Sequence, residues 1–486
     1  MGIMKKLGFD TAVLSFVRVM TMLVNVIQTM VLSRTLTKNQ YGTYSQVLLV
    51  LQFFIVFFSL GLENAVNYFY NSVSNVKKRN IYINTVFSLS FLGGLTALSF
   101  LLLFSRPIAL GFANSQMTTL IIIVSLRPLL QNLITLYQPL FISCGDAKLI
   151  ALMNLGISIL QVSVVSGLSI GYKDLGLIFG VLIFLDILQL VCFSGIFKKR
   201  YNKISFINVK NDYSKDILKY SVPVIVASSV STLFINMDKL TISGVMGIED
   251  YALYSNMAKE LPLTFITNAI TTVFIPLVIQ YINHNELDKF KIFWSKYLEI
   301  GYLMLWPFCI SAITLAPELI KFLYSERYLS NEGIRVFIIY NILLMFRFTY
   351  FGLVPTAKGR TDIVMKYSII MCVINAVLNY PLFRLIGMCG PAVASVISMA
   401  ISDILYFRVS IKLVDLKIKE IVSVKRMLFT LFELIVIGAG IRLLFLPMNM
   451  FIKSNIVLLI VGETLFCICF YILNFNRIKR LMVDVK

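Results

Sequence analysis

Residues 9–33 read FDTAVLSFVRVMTMLVNVIQTMVLS, an apolar run with a single cation, Arg18, near its middle. A helix crossing a bilayer needs about 20 mainly apolar residues. This run is longer than a secretory h-region and passes into Arg34-Thr35-Leu36 instead of a small-residue cleavage site, so it is expected to be a retained span. The same signature recurs along the chain at about 41–62, 82–105, 118–142, 148–171, 175–197, 219–245, 251–282, 298–324, 333–356, 364–388, 390–411, 427–447 and 454–475. Short polar breaks separate these fourteen stretches. Backbone groups in lipid must pair within their own segment, so the expected fold is an all-α polytopic membrane protein.

Composition agrees. Of 486 residues, 58% are hydrophobic and 14% charged, with a mean hydropathy of +0.85, against roughly 25% charged in a soluble domain. The net charge of +20 is distributed by loop. Alternate loops from the N-terminus carry Lys77, Lys78, Arg79, Lys148, Lys198, Lys199 and Arg200, and the later ones are similarly basic. The intervening loops hold only Arg34, Lys38, Arg106, Lys173, Arg327, Arg384 and Lys453. By the positive-inside rule both termini are expected in the cytoplasm, and the charge needs no nucleic-acid partner. The seven cysteines lack metal-ligand spacing and the single histidine, His284, falls in a loop, so no metal site is expected.

Shifting the chain by 210 residues lays Ser33, Tyr41, Tyr44 and Ser45 on Ser243, Tyr251, Tyr254 and Ser255. A shift of 214 lays Gly145 on Gly359, and one of 211 lays Gly176 on Gly387. Two parallel six-helix repeats are therefore expected, with two helices appended. The expected division is an N-terminal lobe at 1–197, a cytoplasmic linker at 198–218, a C-terminal lobe at 219–411, and a tail at 412–486 carrying helices 13 and 14. In transporters built from repeats, the substrate path lies between them.

Polar residues inside the spans mark candidate sites, because a charge at a helix centre costs about 2.5–3.5 kcal/mol unless it meets water or a partner. Span 1 places Thr11, Ser15, Arg18, Asn25 and Gln28 or Thr29 on one face at helical spacing. Span 2 does the same with Ser45, Gln52, Ser59 and Glu63. In the second half, Ser228, Ser231, Thr232, Asp238 and Lys239 stripe span 7, and Asn256, Lys259, Glu260, Thr264, Thr267 and Thr271 stripe span 8. Arg127 with Gln131, and Arg347, are further intramembrane cations. The substrate-binding candidates are thus Arg18, Asn25, Gln52, Arg127, Lys239, Lys259 and Arg347; the ion-coupling candidates are Glu63, Asp238 and Glu260. Each has a plain alternative. Arg18 has no acid beside it on its helix but could pair with Glu63, and Lys259 could pair with Asp238 or Glu260. Lys321 with Glu318 and Arg408 with Asp403 are expected to snorkel at helix ends.

The segment Leu32-Ser-Arg-Thr-Leu-Thr-Lys-Asn-Gln-Tyr-Gly-Thr-Tyr-Ser45 resembles the first-loop pattern of polysaccharide flippases, the O-antigen and capsule exporters of the multidrug/oligosaccharidyl-lipid/polysaccharide (MOP) exporter superfamily. So do Tyr220-Ser-Val-Pro223 leading to Asp238-Lys239, Tyr251-Ala-Leu-Tyr-Ser255, Pro276, Ala316-Pro317, Lys358-Gly-Arg360, Asn379-Tyr380 and Gly387-Met-Cys-Gly-Pro-Ala392. The resemblance implies two six-helix lobes in a V around an alternating cavity, and polyprenyl-pyrophosphate-linked oligosaccharide as substrate. It also implies membrane lipids and polysaccharide polymerase machinery as partners, and a place in the bacterial inner membrane. Basic lumen residues of such flippases correspond to Arg18 and, by position, to Lys239 and Lys259. The pyrophosphate suits them, since Arg offers planar bidentate contacts and Lys a point charge. No Gly-x-x-x-x-Gly-Lys loop is present, so no cofactor is expected and energy would come from a proton or sodium gradient, the membrane potential or product removal. The alternatives are an ion-coupled multidrug antiporter, which would want an acidic cavity, a peptidoglycan-precursor flippase, and a membrane polymerase or glycosyltransferase, which would want a larger catalytic loop.

Overall fold

The computed structural model describes residues 2–201, 204, 211–284, 286–451 and 454–483, with side chains except at 2–15, 211, 273, 283, 446–451 and 482–483. Residues 202–203 and 205–210 of the linker expected at 198–218, and the side chains of Thr11 and Ser15, lie outside the described residues. The helices are α1 (Gly2–Thr35), α2 (Lys38–Phe58), α3 (Leu62–Ser72), α4 (Val76–Gly111), α5 (Met117–Val124), α6 (Arg127–Ser143), α7 (Ala147–Gly171), α8 (Leu175–Arg200), α9 (Asn211–Val245) and α10 (Ile248–Met257). They continue as α11 (Thr264–Asn283), α12 (Leu287–Thr314), α13 (Ala316–Tyr324), α14 (Asn331–Phe346), α15 (Leu353–Ala357), α16 (Thr361–Ile386), α17 (Cys389–Val414), α18 (Ile418–Ile421), α19 (Val424–Phe451) and α20 (Asn455–Val483). Among the described residues there is no strand.

Thirteen segments of the described residues are long and apolar enough to cross a membrane. The fourteenth expected stretch, at 333–356, is interrupted: α14 stops at Phe346 and α15 resumes at Leu353 for only 5 residues. The stretch at 251–282 is likewise divided between α10 and α11. Pro262 lies in that gap, and a proline lacks the N–H and crowds the residue before it out of the helical region. Two landmarks of the internal comparison share their geometry. Tyr41 and Tyr44 at the start of α2 and Tyr251 and Tyr254 at the start of α10 are all buried, and Gly145 and Gly359 both adopt positive φ.

The chain divides into two compact units, Met1–Asn236 with Ser243–Ala252, and Met237–Ile242 with Leu253–Lys486. Helix α9, expected to open the second lobe, therefore contributes residues to both.

The first unit is organised by an aromatic core. Tyr137 meets Phe87 edge-on at 5.1 Å, and Phe141 meets Phe197 at 5.4 Å, tying α4, α6 and α8 together. A Cβ at Gly94 would stand 2.6 Å from Leu129 Cα, so glycine is what lets α4 approach α6.

In the second unit α12 is the central helix, and α19 and α20 pack on it through Trp306, Ile310, Leu434, Phe445, Phe466 and Phe470. Ion pairs fix both ends of that contact. Glu299 accepts from Arg477 at 2.6 Å and lies 3.6 Å from Arg426. At the other end Arg442 pairs with Glu318 at 2.8 Å. Glu318 thus pairs with Arg442 and not with Lys321, which instead reaches Glu326 at 3.1 Å. Outward-facing Phe429, Phe432, Ile472, Leu473 and Phe475 are exposed, the surface a lipid solvent requires.

Candidate functional site

In the first unit the polar stripes do not all face one way. Arg18, Asn25 and Gln52 are exposed, whereas Gln28 is buried and donates to Tyr44 Oη at 3.4 Å. The chain turns at Ser59–Gly61 between α2 and α3, and Ser59 donates to Val56 O at 2.9 Å. Beyond the turn, α3 buries Leu62, Ala65, Val66 and Phe69 and exposes Glu63, Asn64, Asn67 and Asn71. Such a polar face on a membrane helix suits water or a polar ligand, not lipid. Arg18 is the charged neighbour of Glu63, and among the described residues neither forms a direct ion pair.

Arg127 stands apart from that face. Its Nε donates to Asp186 Oδ2 at 2.7 Å, both side chains being nearly inaccessible, and Gln131 Nε2 donates to the other oxygen at 2.7 Å. The guanidinium joins α6 to α8 inside the packed core. Asp186 is a residue the sequence reading passed over, although an acid within a span requires a partner and Arg127 with Gln131 offered one.

The second unit gathers a denser group. Asp238 is fully buried; its Oδ2 accepts from Tyr254 Oη at 2.7 Å and from Tyr340 Oη. Lys239 and Lys259 stand close enough for each charge to act on the other, Lys259 being exposed. Glu260 accepts from Arg347 Nη1 at 2.9 Å, and the charge of Arg347 also acts on Asp403 of α17. Lys259 and Glu260 lie in the break between α10 and α11, and Arg347 begins the break between α14 and α15. Asp403, which the sequence reading set beside Arg408 at a helix end, thus belongs to this cluster.

Backbone groups freed by the second break find side-chain partners, as they must in a dry surrounding. Trp306 Nε1 donates to Met345 O at 3.0 Å, Thr267 Oγ1 donates to Arg347 O at 2.8 Å, and Tyr350 N donates to Tyr297 Oη at 3.0 Å. Gly301 makes room for it, since a Cβ there would meet Phe348 O at 2.3 Å. Broken helices of this kind form ion and substrate sites in transporters. Beside the break, a mainly apolar cavity of about 1320 Å³, counted to its open mouth, lies among α12, α14, α17 and α19 with Glu299 and Asp403 in its wall. Among the described residues no group of three or more His, Cys, Asp or Glu could hold a metal ion.

The chain path is similar to that of a lipid II flippase, MurJ, in an inward closed conformation, with a TM-score of 0.71 at 15% identity over 96% of this chain and 99% of that one. It is similar also to an inward-facing multidrug resistance MATE family transporter of the MOP superfamily, with a TM-score of 0.63 at 12% identity over 81% and 94%. A MOP superfamily transporter from Pyrococcus furiosus gives 0.57 at 15% over 84% and 95%. The fold is that of the MOP superfamily transporters. Residues 31–332 match the family described as polysaccharide biosynthesis protein, and the chain belongs to that family. Among curated proteins nothing matches.

Proposed function

We propose that the protein is a flippase that carries polyprenyl-pyrophosphate-linked oligosaccharide units from the cytoplasmic to the outer leaflet of a bacterial inner membrane by alternating access, for surface polysaccharide synthesis. The observation that carries this reading is the match of residues 31–332 to a family described as polysaccharide biosynthesis protein. Lys239 of α9 and Lys259 beyond α10, near enough for the charge of Lys239 to act on Lys259, add positive charge that suits a pyrophosphate. Within the first unit, exposed Arg18 and Asn25 offer a cation for a phosphate and an amide for glycan hydroxyls. Arg347 is held by Glu260, and Arg127 by Asp186, so in this reading they position their surroundings instead of binding substrate.

Gradient coupling is assigned to Glu63, whose side chain is exposed beside Arg18; Asp238 and Glu260 already have strong partners. Both termini face the cytoplasm, and polymerase machinery receives the product. The chain is a carrier and not an enzyme.

The test is deletion of the gene in its host, with leaflet-resolved assay of the lipid-linked oligosaccharide. Completed units should accumulate on the cytoplasmic face, be cleared by the wild-type gene, and persist with Lys239→Gln/Lys259→Gln. No accumulation would point to the antiporter; units that reach the outer face and remain unpolymerised would point to the enzyme.

A further inference from the structure

The first unit carries a second concave site, at its basic end and away from the residues above. The first turns of α4 present Arg79, Asn80 and Asn84 to a hollow of about 1000 Å³, counted with its open mouth, that Tyr70, Cys144 and Tyr201 wall on other sides. Asn80 and Asn84, four apart, share a helix face, and Arg79 lines the same hollow beside them. The Arg79 guanidinium lies 4.4 Å from the centre of the Tyr70 ring, which fixes it in place. Its Nε is buried, and among the described residues the group donates no hydrogen bond. An arginine keeps its charge and has five donors; a half-buried one with all five unused is an open demand for an acceptor.

The nearby carboxylate does not meet that demand. Asp146 accepts from Arg200 Nη1 at 2.7 Å and from Tyr201 Oη at 2.8 Å. Lys77 and Lys78 open α4, and Lys198 and Lys199 close α8 at the same end of the unit. The hollow therefore combines a stacked guanidinium, amide side chains and a cationic rim, while the nearby Asp146 is held by Arg200 and Tyr201.

We propose that this hollow is a phosphate-binding site, with Arg79 as the principal ligand and Asn80 beside it, that takes either a phospholipid headgroup or a diphosphate group. The proposal rests on the flippase reading only for its side: the positive-inside orientation puts the hollow at the cytoplasmic surface, where a diphosphate-linked unit would arrive.

Cys144 reports occupancy without any transport assay. Its thiol forms part of the wall, 3.1 Å from Tyr70 Oη. Burial pushes that thiol up, so alkylation is best followed on the alkaline side of neutrality. The full chain in phosphatidylcholine nanodiscs is treated with N-ethylmaleimide, and modification of the Cys144 peptide is timed by mass spectrometry. Inorganic pyrophosphate should slow it by 1 + [L]/Kd, about threefold at twice Kd, in the wild type. Arg79→Gln should lose the protection, and Arg79→Lys should keep part of it because a point charge replaces the planar fork. Asn80→Leu, which leaves the Arg79–Tyr70 stack intact, should weaken it and serves if Arg79→Gln fails to fold.

Repeating the wild type and variants in nanodiscs containing phosphatidylglycerol, without pyrophosphate, separates the sources. Arg79-dependent slowing there assigns the headgroup; slowing by pyrophosphate alone assigns the diphosphate. No protection in either arm, or equal protection in Arg79→Gln and the wild type, overturns the proposal. Because nothing is transported, that failure would leave the flippase reading untouched, and an absent export defect would leave a positive binding result untouched.

Discussion

Replacing Arg127 by leucine should destabilise the first unit while leaving its partner, Asp186, stranded. Asp186 is 3% exposed, and the missing guanidinium is its 2.7 Å neighbour. Removing one member of a buried ion pair costs about 3–5 kcal/mol, because an uncompensated charge remains. For a unit of this size each kcal/mol moves the thermal midpoint by about 2–4 °C, so the fall should be roughly 6–20 °C. The lower half of that range is expected, since Gln131 keeps its 2.7 Å hydrogen bond to the carboxylate and protonation of Asp186 offers a further escape. Arg127→Leu/Asp186→Leu removes both charges together and should recover most of the loss, as apolar replacement of a buried pair is often neutral. Thermal unfolding in detergent gives the stability, and export assayed in the same strains separates scaffold from substrate contact. A stable double variant without export would show that the guanidinium touches substrate; an unchanged midpoint in Arg127→Leu would refute the argument from burial.

Arg18→Gln should keep normal abundance and abolish export, while Arg18→Lys retains part of it; normal export in Arg18→Gln would remove this residue from the mechanism. Glu299→Ala leaves Arg477 and Arg426 without their shared acid, so α19 and α20 should loosen, with faster tryptic cleavage after Lys417 or Lys419 and a midpoint lowered by several degrees, about 2 kcal/mol for a partly solvated pair. Cleavage at the wild-type rate would mean that the apolar contact with α12 suffices. Cysteines replacing Lys199 and Glu249 should react with an impermeant thiol reagent from opposite sides of the membrane, and labelling of both from one side would overturn the proposed orientation.

The helical fold was legible because lipid leaves the backbone so few solutions: hydropathy alone locates nearly every span. The breaks were less legible. A window of about 20 residues averages across Lys259-Glu260-Leu261-Pro262, whose apolar flanks hide the two charges. The gap after Phe346 is harder still, since Phe348, Tyr350 and Phe351 keep it apolar. What stabilises that gap comes from elsewhere in the chain: Thr267, Tyr297, Trp306 and the bare backbone of Gly301. No local pattern could have joined them.

The candidate site shows the same split between residue type and partner. Sequence identifies which side chains are expensive in a membrane, but cost alone does not separate a ligand from a lock. Arg18 and Arg127 are equivalent on that criterion. They part only when the neighbours are known, Arg18 exposed beside Glu63 without a direct ion pair among the described residues and Arg127 enclosed against Asp186. The same rule orders the second unit, where Arg347 has Glu260 and Asp238 has two tyrosine hydroxyls. A buried charge held by a partner on another element ties the two elements together. Lys239 and Lys259 add positive charge in the same unit, and the Lys239→Gln/Lys259→Gln variant reads whether that charge serves substrate or scaffold.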